Sequence, residues 1–123
     1  MMKFSLADPG DGYTIHSYSN TELVVGELRF NSSIIILPDR IISDWKTHAV
    51  EQLQASDFET LLGLQPDLVL LGSGERQQFP PADKYSCLTN AGIGLEIMTT
   101  PAACRTYNIL VSEGRRVAAA LIL

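Results

Sequence analysis

The chain has 123 residues, the length of one domain, and 46% of them are hydrophobic, enough for a single core. Fourteen acidic residues against nine Lys and Arg give a net charge of −5. That balance, without any basic run, excludes a broad nucleic-acid surface, and the charged share of 19% argues against disorder.

The first fifty residues read as a β region. Asp8-Pro9-Gly10-Asp11-Gly12 is a dense turn cluster, and Tyr13 to Tyr18 alternates large and polar residues. Ser19-Asn20 predicts a turn before a strand over Leu23 to Phe30, where Leu28 and Phe30 alternate with Glu27 and Arg29. Asn31-Ser32-Ser33 then leads into Ile34 to Leu37, closed by Pro38-Asp39, and residues 41–48, with Ile41, Ile42 and Trp45, offer one more strand. The expectation is a meander of short antiparallel strands. Trp45 reads as a core anchor or as a surface aromatic for a partner, the core being favoured.

The pattern changes near Ala55. Ser56 as N-cap with Glu59 three residues on predicts a capping box for a short helix, whose face holds Phe58, Leu61 and Leu62 and which Gly63 ends. Leu68 to Leu71 is an unbroken apolar run, so this strand should be covered on both faces. It exits into Gly72-Ser73-Gly74. Pro81 should open a helix running to about Ala91, followed by a strand over Ile93 to Met98. Thr100 as N-cap with Pro101 behind it opens a third helix, with an apolar stripe of Ala103, Cys104, Tyr107, Leu110 and Val111. Arg116 to Leu123 is the closing strand. Strand, helix, strand, helix, strand predicts parallel pairing through crossovers, hence a βαβαβ C-terminal half in a single α/β domain over residues 1–123.

Two regions carry candidate chemistry. The Gly72-Ser73-Gly74 turn, with Glu75 and Arg76, is either a tight strand exit or a loop whose amides cradle an anion. It lacks the Lys of a phosphate-binding loop and the third Gly of a dinucleotide fingerprint. If the strands at 67–71 and 93–98 are parallel neighbours, this turn faces the helix start at Thr99 and Thr100, and the two form one crevice. Arg105, Tyr107 and Asn108 would add charge and hydrogen bonds there, or else satisfy neighbouring carbonyls and carboxylates. Glu75 is the nominated partner of Arg105. Cys104 reads as a buried small hydrophobe rather than a nucleophile, having no basic partner in view. Cys87 and Cys104 lack metal-ligand spacing, as do His16 and His48, so neither metal nor cofactor is expected. Val117 to Leu123 is too short to cross a bilayer, and Met1 to Ser5 resembles no leader, so a cytoplasmic protein that is not integral to a membrane is expected.

The second half resembles a known family. The resemblance rests on Leu68-Val69-Leu70-Leu71-Gly72-Ser73-Gly74-Glu75-Arg76-Gln77, Phe79-Pro80, Gly92-Ile93-Gly94-Leu95-Glu96 and Met98. Its densest stretch is Thr99 to Leu123, above all Ala103-Cys104-Arg105-Thr106-Tyr107-Asn108-Ile109-Leu110 and Glu113-Gly114-Arg115-Arg116-Val117. These are similar to the Mth938-like domain, also called the domain-of-unknown-function 498 family. The resemblance implies a compact three-layer α/β domain with mixed sheet and a smaller β unit. It is related to the mitochondrial complex I assembly factor 3 family, so it also implies work through a protein partner rather than catalysis. The size of the bare domain is that of a bacterial member, and no catalytic residues carry over. The alternative is an enzyme that binds a small molecule or anion in the crevice between the Gly72–Arg76 loop and the helix at Thr100.

Overall fold

The computed structural model describes residues 12–19 and 21–123. Asp8 to Asp11 of the expected turn cluster, and Asn20 of the next turn, lie outside them. The β region does not form one meander. Its first part is a small antiparallel sheet of β1 (Ser17–Tyr18), β2 (Leu23–Val25) and β3 (Leu28–Phe30), in that order. The single strand expected over Leu23 to Phe30 is folded in two at Gly26-Glu27. Val25 pairs with Leu28, and Gly26 takes φ +59°, the left-handed conformation that a two-residue hairpin demands and glycine supplies.

The second part, β4 (Ile34–Leu37) and β5 (Arg40–Ile42), is a hairpin that belongs to the main sheet. The strand expected over 41–48 stops at Ile42. After a 3-10 turn at Val50–Gln52 come α1 (Ala55–Gly63), β6 (Leu68–Gly72), α2 (Ser86–Asn90), β7 (Gly94–Met98), α3 (Thr100–Ser112) and β8 (Val117–Leu121). The helix expected from Pro81 to Ala91 is a 3-10 turn at Ala82–Tyr85 running into the short α2. The main sheet has the order β5-β4-β8-β6-β7. Within it β6 runs parallel to both β7 and β8, as the crossover reading expects, while β4 is antiparallel to β8. The sheet is therefore mixed.

Three layers result, with the main sheet in the middle. On one side Leu68, Leu70 and Ala119 meet Ala103, Cys104, Tyr107 and Val111 of α3, together with Leu23 and Val25 of the small sheet. On the other, Val69, Leu71, Ala118 and Ala120 meet Phe58 and Leu61 of α1 and Leu88 of α2. Every residue of β6 and of β8 is buried, as unbroken apolar runs at the centre of a covered sheet require. The three alanines of β8 leave room for both covering layers. Trp45 is half-buried against the second core, and its indole N–H donates to Asp57 Oδ1 at 3.1 Å.

α1 is capped two residues earlier than the expected Ser56. Its capping box is Gln54 with Asp57, not Ser56 with Glu59: Gln54 N–H donates to Asp57 Oδ2 at 2.8 Å. In α3 the cap is Thr99, whose Oγ1 accepts from Ala102 N–H, and Thr100 is already helical.

Candidate functional site

β6 and β7 end side by side, with Gly72 opposite Met98, so the loop after β6 lies against the start of α3. The contact is close. A Cβ on Gly72 would come within 2.9 Å of Thr100 Cα and Oγ1, a separation that only glycine avoids. Thr100 is buried and ties three elements together. Its hydroxyl donates to Ile122 O at 2.7 Å and accepts from Gly74 N–H at 2.9 Å, while its own N–H donates to Gly74 O at 2.9 Å. Ile122 N–H in turn donates to Gly72 O at 3.0 Å. Ser73, also buried, staples the loop to itself. Its Oγ lies 2.6 Å from Arg76 O and 3.1 Å from Met98 O, accepts from Gln78 N–H, and shares its one proton between the two carbonyls.

These bonds take the amides of Ser73 and Gly74 and those of the helix start, so none of these is left for an anion. Ser73 N–H goes to Met98 O, Gly74 N–H to Thr100 Oγ1, and at the helix start Thr100, Ala102 and Ala103 N–H go to Gly74 O, Thr99 Oγ1 and Thr99 O. Pro101 has none to offer. Beside them is a cavity of about 330 Å³, lined by Ser73, Gly74, Glu75, Arg76, Gln78, Thr100 and Pro101, by Ser19, His48 and Ala49, and by Ile122 and Leu123. Among the described residues the Arg76 guanidinium has neither a hydrogen bond nor an ion pair, whereas the side chains of Arg29, Arg105 and Arg116 are all engaged.

The residues singled out from the sequence thus fall into two groups. Ser73, Gly74, Glu75, Arg76 and Thr100 line the cavity, with Gly72 and Thr99 holding its backbone. Cys104, Arg105, Tyr107 and Asn108 do not. They face the core and residues 13–18. Tyr107 O–H donates to Tyr13 O at 2.8 Å. Asn108 makes a pair of bonds with the backbone of Ile15, donating to its carbonyl and accepting its N–H, each at 2.8 Å. Arg105 donates to Tyr18 Oη at 3.1 Å, so the expected tie to Glu75 is replaced by one to β1. Burial raises the Cys104 thiol pKa to about 12, outweighing the opposing charge of Arg105, and the thiol stays neutral at ordinary pH. Ser19, His48, Gln78 and Ile122 were missed as lining residues. They come from four separate segments, and no local pattern joins them. No group of side chains that could hold a metal occurs among the described residues.

The profile of the family described as "Protein of unknown function (DUF498/DUF598)" matches residues 15–122. The chain belongs to that family. Among curated relatives it is 30% identical over 101 residues to the "13 kDa major membrane protein" of Francisella tularensis, covering 81% of this chain and 80% of that one. It is 31% identical over 110 residues to the bovine "NADH dehydrogenase [ubiquinone] 1 alpha subcomplex assembly factor 3", covering 88% of this chain but 59% of the longer relative. Among solved structures, a protein of Xanthomonas campestris superposes with a TM-score of 0.82 at 41% identity, over 98% of this chain and 92% of that one. A Mth938-like domain of Bordetella pertussis does so with 0.82 at 29%, over the same shares. No helix among the described residues is long and apolar enough to cross a membrane.

Proposed function

We propose that this chain is a protein-interaction domain with an assembly-factor role, serving the build-up of a membrane or respiratory complex from the cytoplasm. The observation that carries the reading is the match to complex I assembly factor 3 over 88% of the chain. The relative described as a major membrane protein adds support for work at a membrane. So does the surface: Phe79, on the loop after β6, is 64% exposed beside a second hollow of about 200 Å³ lined by Val50, Glu51, Gln78, Pro80 and Pro81. Exposed aromatics of this kind anchor protein interfaces. Cross-linking and affinity purification of the tagged chain from its host tests the reading. Subunits of a membrane complex should come down with it, and native gels of a deletion strain should show that complex stalled in assembly. Normal assembly without the chain, together with metabolite turnover by the purified protein, would refute it.

A second reading is favoured by one observation, the Arg76 guanidinium on the 330 Å³ cavity, which has no partner among the described residues. With the amides of Ser73, Gly74 and the helix start taken, a small anion would be held there chiefly by the Arg76 and His48 side chains. A thermal-shift panel of phosphorylated metabolites and nucleotides separates the readings: a ligand of the native state raises the midpoint, and Arg76→Ala should abolish the rise.

A further inference from the structure

The margins of the main sheet differ. One is β5, three residues long and opened by the exposed Arg40, the kind of short, charged edge that resists pairing. The other is β7, five residues long, in unbroken register with β6 from Leu68–Gly94 to Gly72–Met98. Gly94-Leu95-Glu96-Ile97-Met98 contains no Pro, no Lys and no bulge, the devices that usually guard an edge.

The free side of β7 can be assigned. Ser73 N–H reaches Met98 O from the β6 side, whereas Gln77 Nε2 donates to Ile97 O at 2.9 Å from outside. Main-chain groups in a strand alternate in direction, so those of Leu95 and Ile97 face outward. Of these, Leu95 N–H, Leu95 O and Ile97 N–H have no partner among the described residues. Among the described residues the exposed Gln77 side chain is the one group hydrogen-bonded to this edge. Leu95 and Ile97 are half-buried on the α2 face, and Glu96 and the bare Gly94 are exposed on the other.

We propose that β7 is a docking edge that takes an extended segment of a partner protein as a sixth strand. Main-chain bonds to Leu95 and Ile97 supply the pairing, and the Gln77 amide gives way to the incoming strand. The segment has apolar residues that continue the Leu95 and Ile97 surface. It has Lys or Arg on the opposite face, beside Glu96, which matches the chain's net charge of −5. Gly94 lets its backbone lie close. The inference rests on the protein-partner reading of function and names the surface and the chemistry of the partner.

The test is amide exchange followed by NMR, with a short end-blocked peptide alternating valine and lysine, and a valine–glutamate peptide as control. The lysine peptide should slow exchange at Leu95 and Ile97 by about tenfold or more. Leu95→Pro, which removes an outward N–H and leaves the β6 ladder, should cancel the effect. Glu96→Lys, at an exposed position, should reverse the preference toward the glutamate peptide, and it covers the case of a misfolded proline variant. Slowing confined to other residues, no slowing at all, or protection of Leu95 and Ile97 in the peptide-free protein that grows with its concentration would each overturn the proposal, the last by making a second copy the occupant. Recovery of the same host partner by native chain and Leu95→Pro alike would sink the edge and leave the interaction role standing.

Discussion

Thr100 Oγ1 carries two bonds in a buried place, one from Gly74 N–H and one to Ile122 O. Thr100→Val keeps the shape and strands both partners, so the loss in chemical denaturation should be about 1–3 kcal/mol. The two cysteines should differ sharply. Cys87 is half-buried and Cys104 fully buried, so a thiol reagent should label Cys87 in the native protein and Cys104 only on unfolding. The same burial makes stability depend on alkaline pH. Cys104 would ionise at its ordinary 9.0 once unfolded but is held up to about 12 in the fold. The unfolded state therefore loses this proton first. Its stabilising contribution is complete below pH 9.0 and is lost as pH climbs to about 12. Tyr107 acts with the same sign, its hydroxyl pKa raised by burial and then by the charge of Asp39. In thermal melts across that range the midpoint should fall, and Cys104→Ala should make the fall shallower.

At the scale of elements, α1 shows how one side chain serves two structures. Asp57 accepts from Gln54 N–H through Oδ2, closing the helix start, and from the Trp45 indole through Oδ1, holding the long segment that leads there from β5. Asp57→Ala should cost about 1–2 kcal/mol, as loss of a cap does. It should also shift Trp45 fluorescence, since the indole N–H loses its acceptor. Glu59→Ala, at an exposed position outside the observed box, should leave both readouts where they were. The sequence around Ser56 offers a capping box as good in residue type as the one used. What decides between them is the arrival of Trp45, which rewards the carboxylate at position 57 and not the one at 59.

The molecule as a whole is a covered mixed sheet to which residues 13–18, leading into the small sheet, are fastened by polar groups of α3. Asn108 does most of this, pairing with both main-chain groups of Ile15, and Tyr107 and Arg105 add one bond each at Tyr13 and Tyr18. Asn108→Ala should cost about 1–3 kcal/mol. More tellingly, it should speed exchange of the Ile15 amide while leaving Val69 and Ala119, at the sheet centre, protected against all but global unfolding.

Leu68 to Leu71, the stripe on α3 and the βαβαβ order were legible in the residues themselves, because burial on a strand or helix leaves a period in the sequence that needs no knowledge of the partner. The Gly72 loop and the Thr100 helix start could be brought together on the same grounds, since parallel neighbours must end side by side. The destinations of polar side chains were not legible. Arg105 found Tyr18 instead of Glu75, α1 took Gln54 with Asp57 as its cap, and Ser19, His48, Gln78 and Ile122 met around one cavity. Only the tertiary structure decided these, for a physical reason. A long polar side chain has partners within reach on several segments, and which of them is near depends on how the layers stack. Local periodicity records that a residue is buried or exposed, and it carries no record of what lies across the gap.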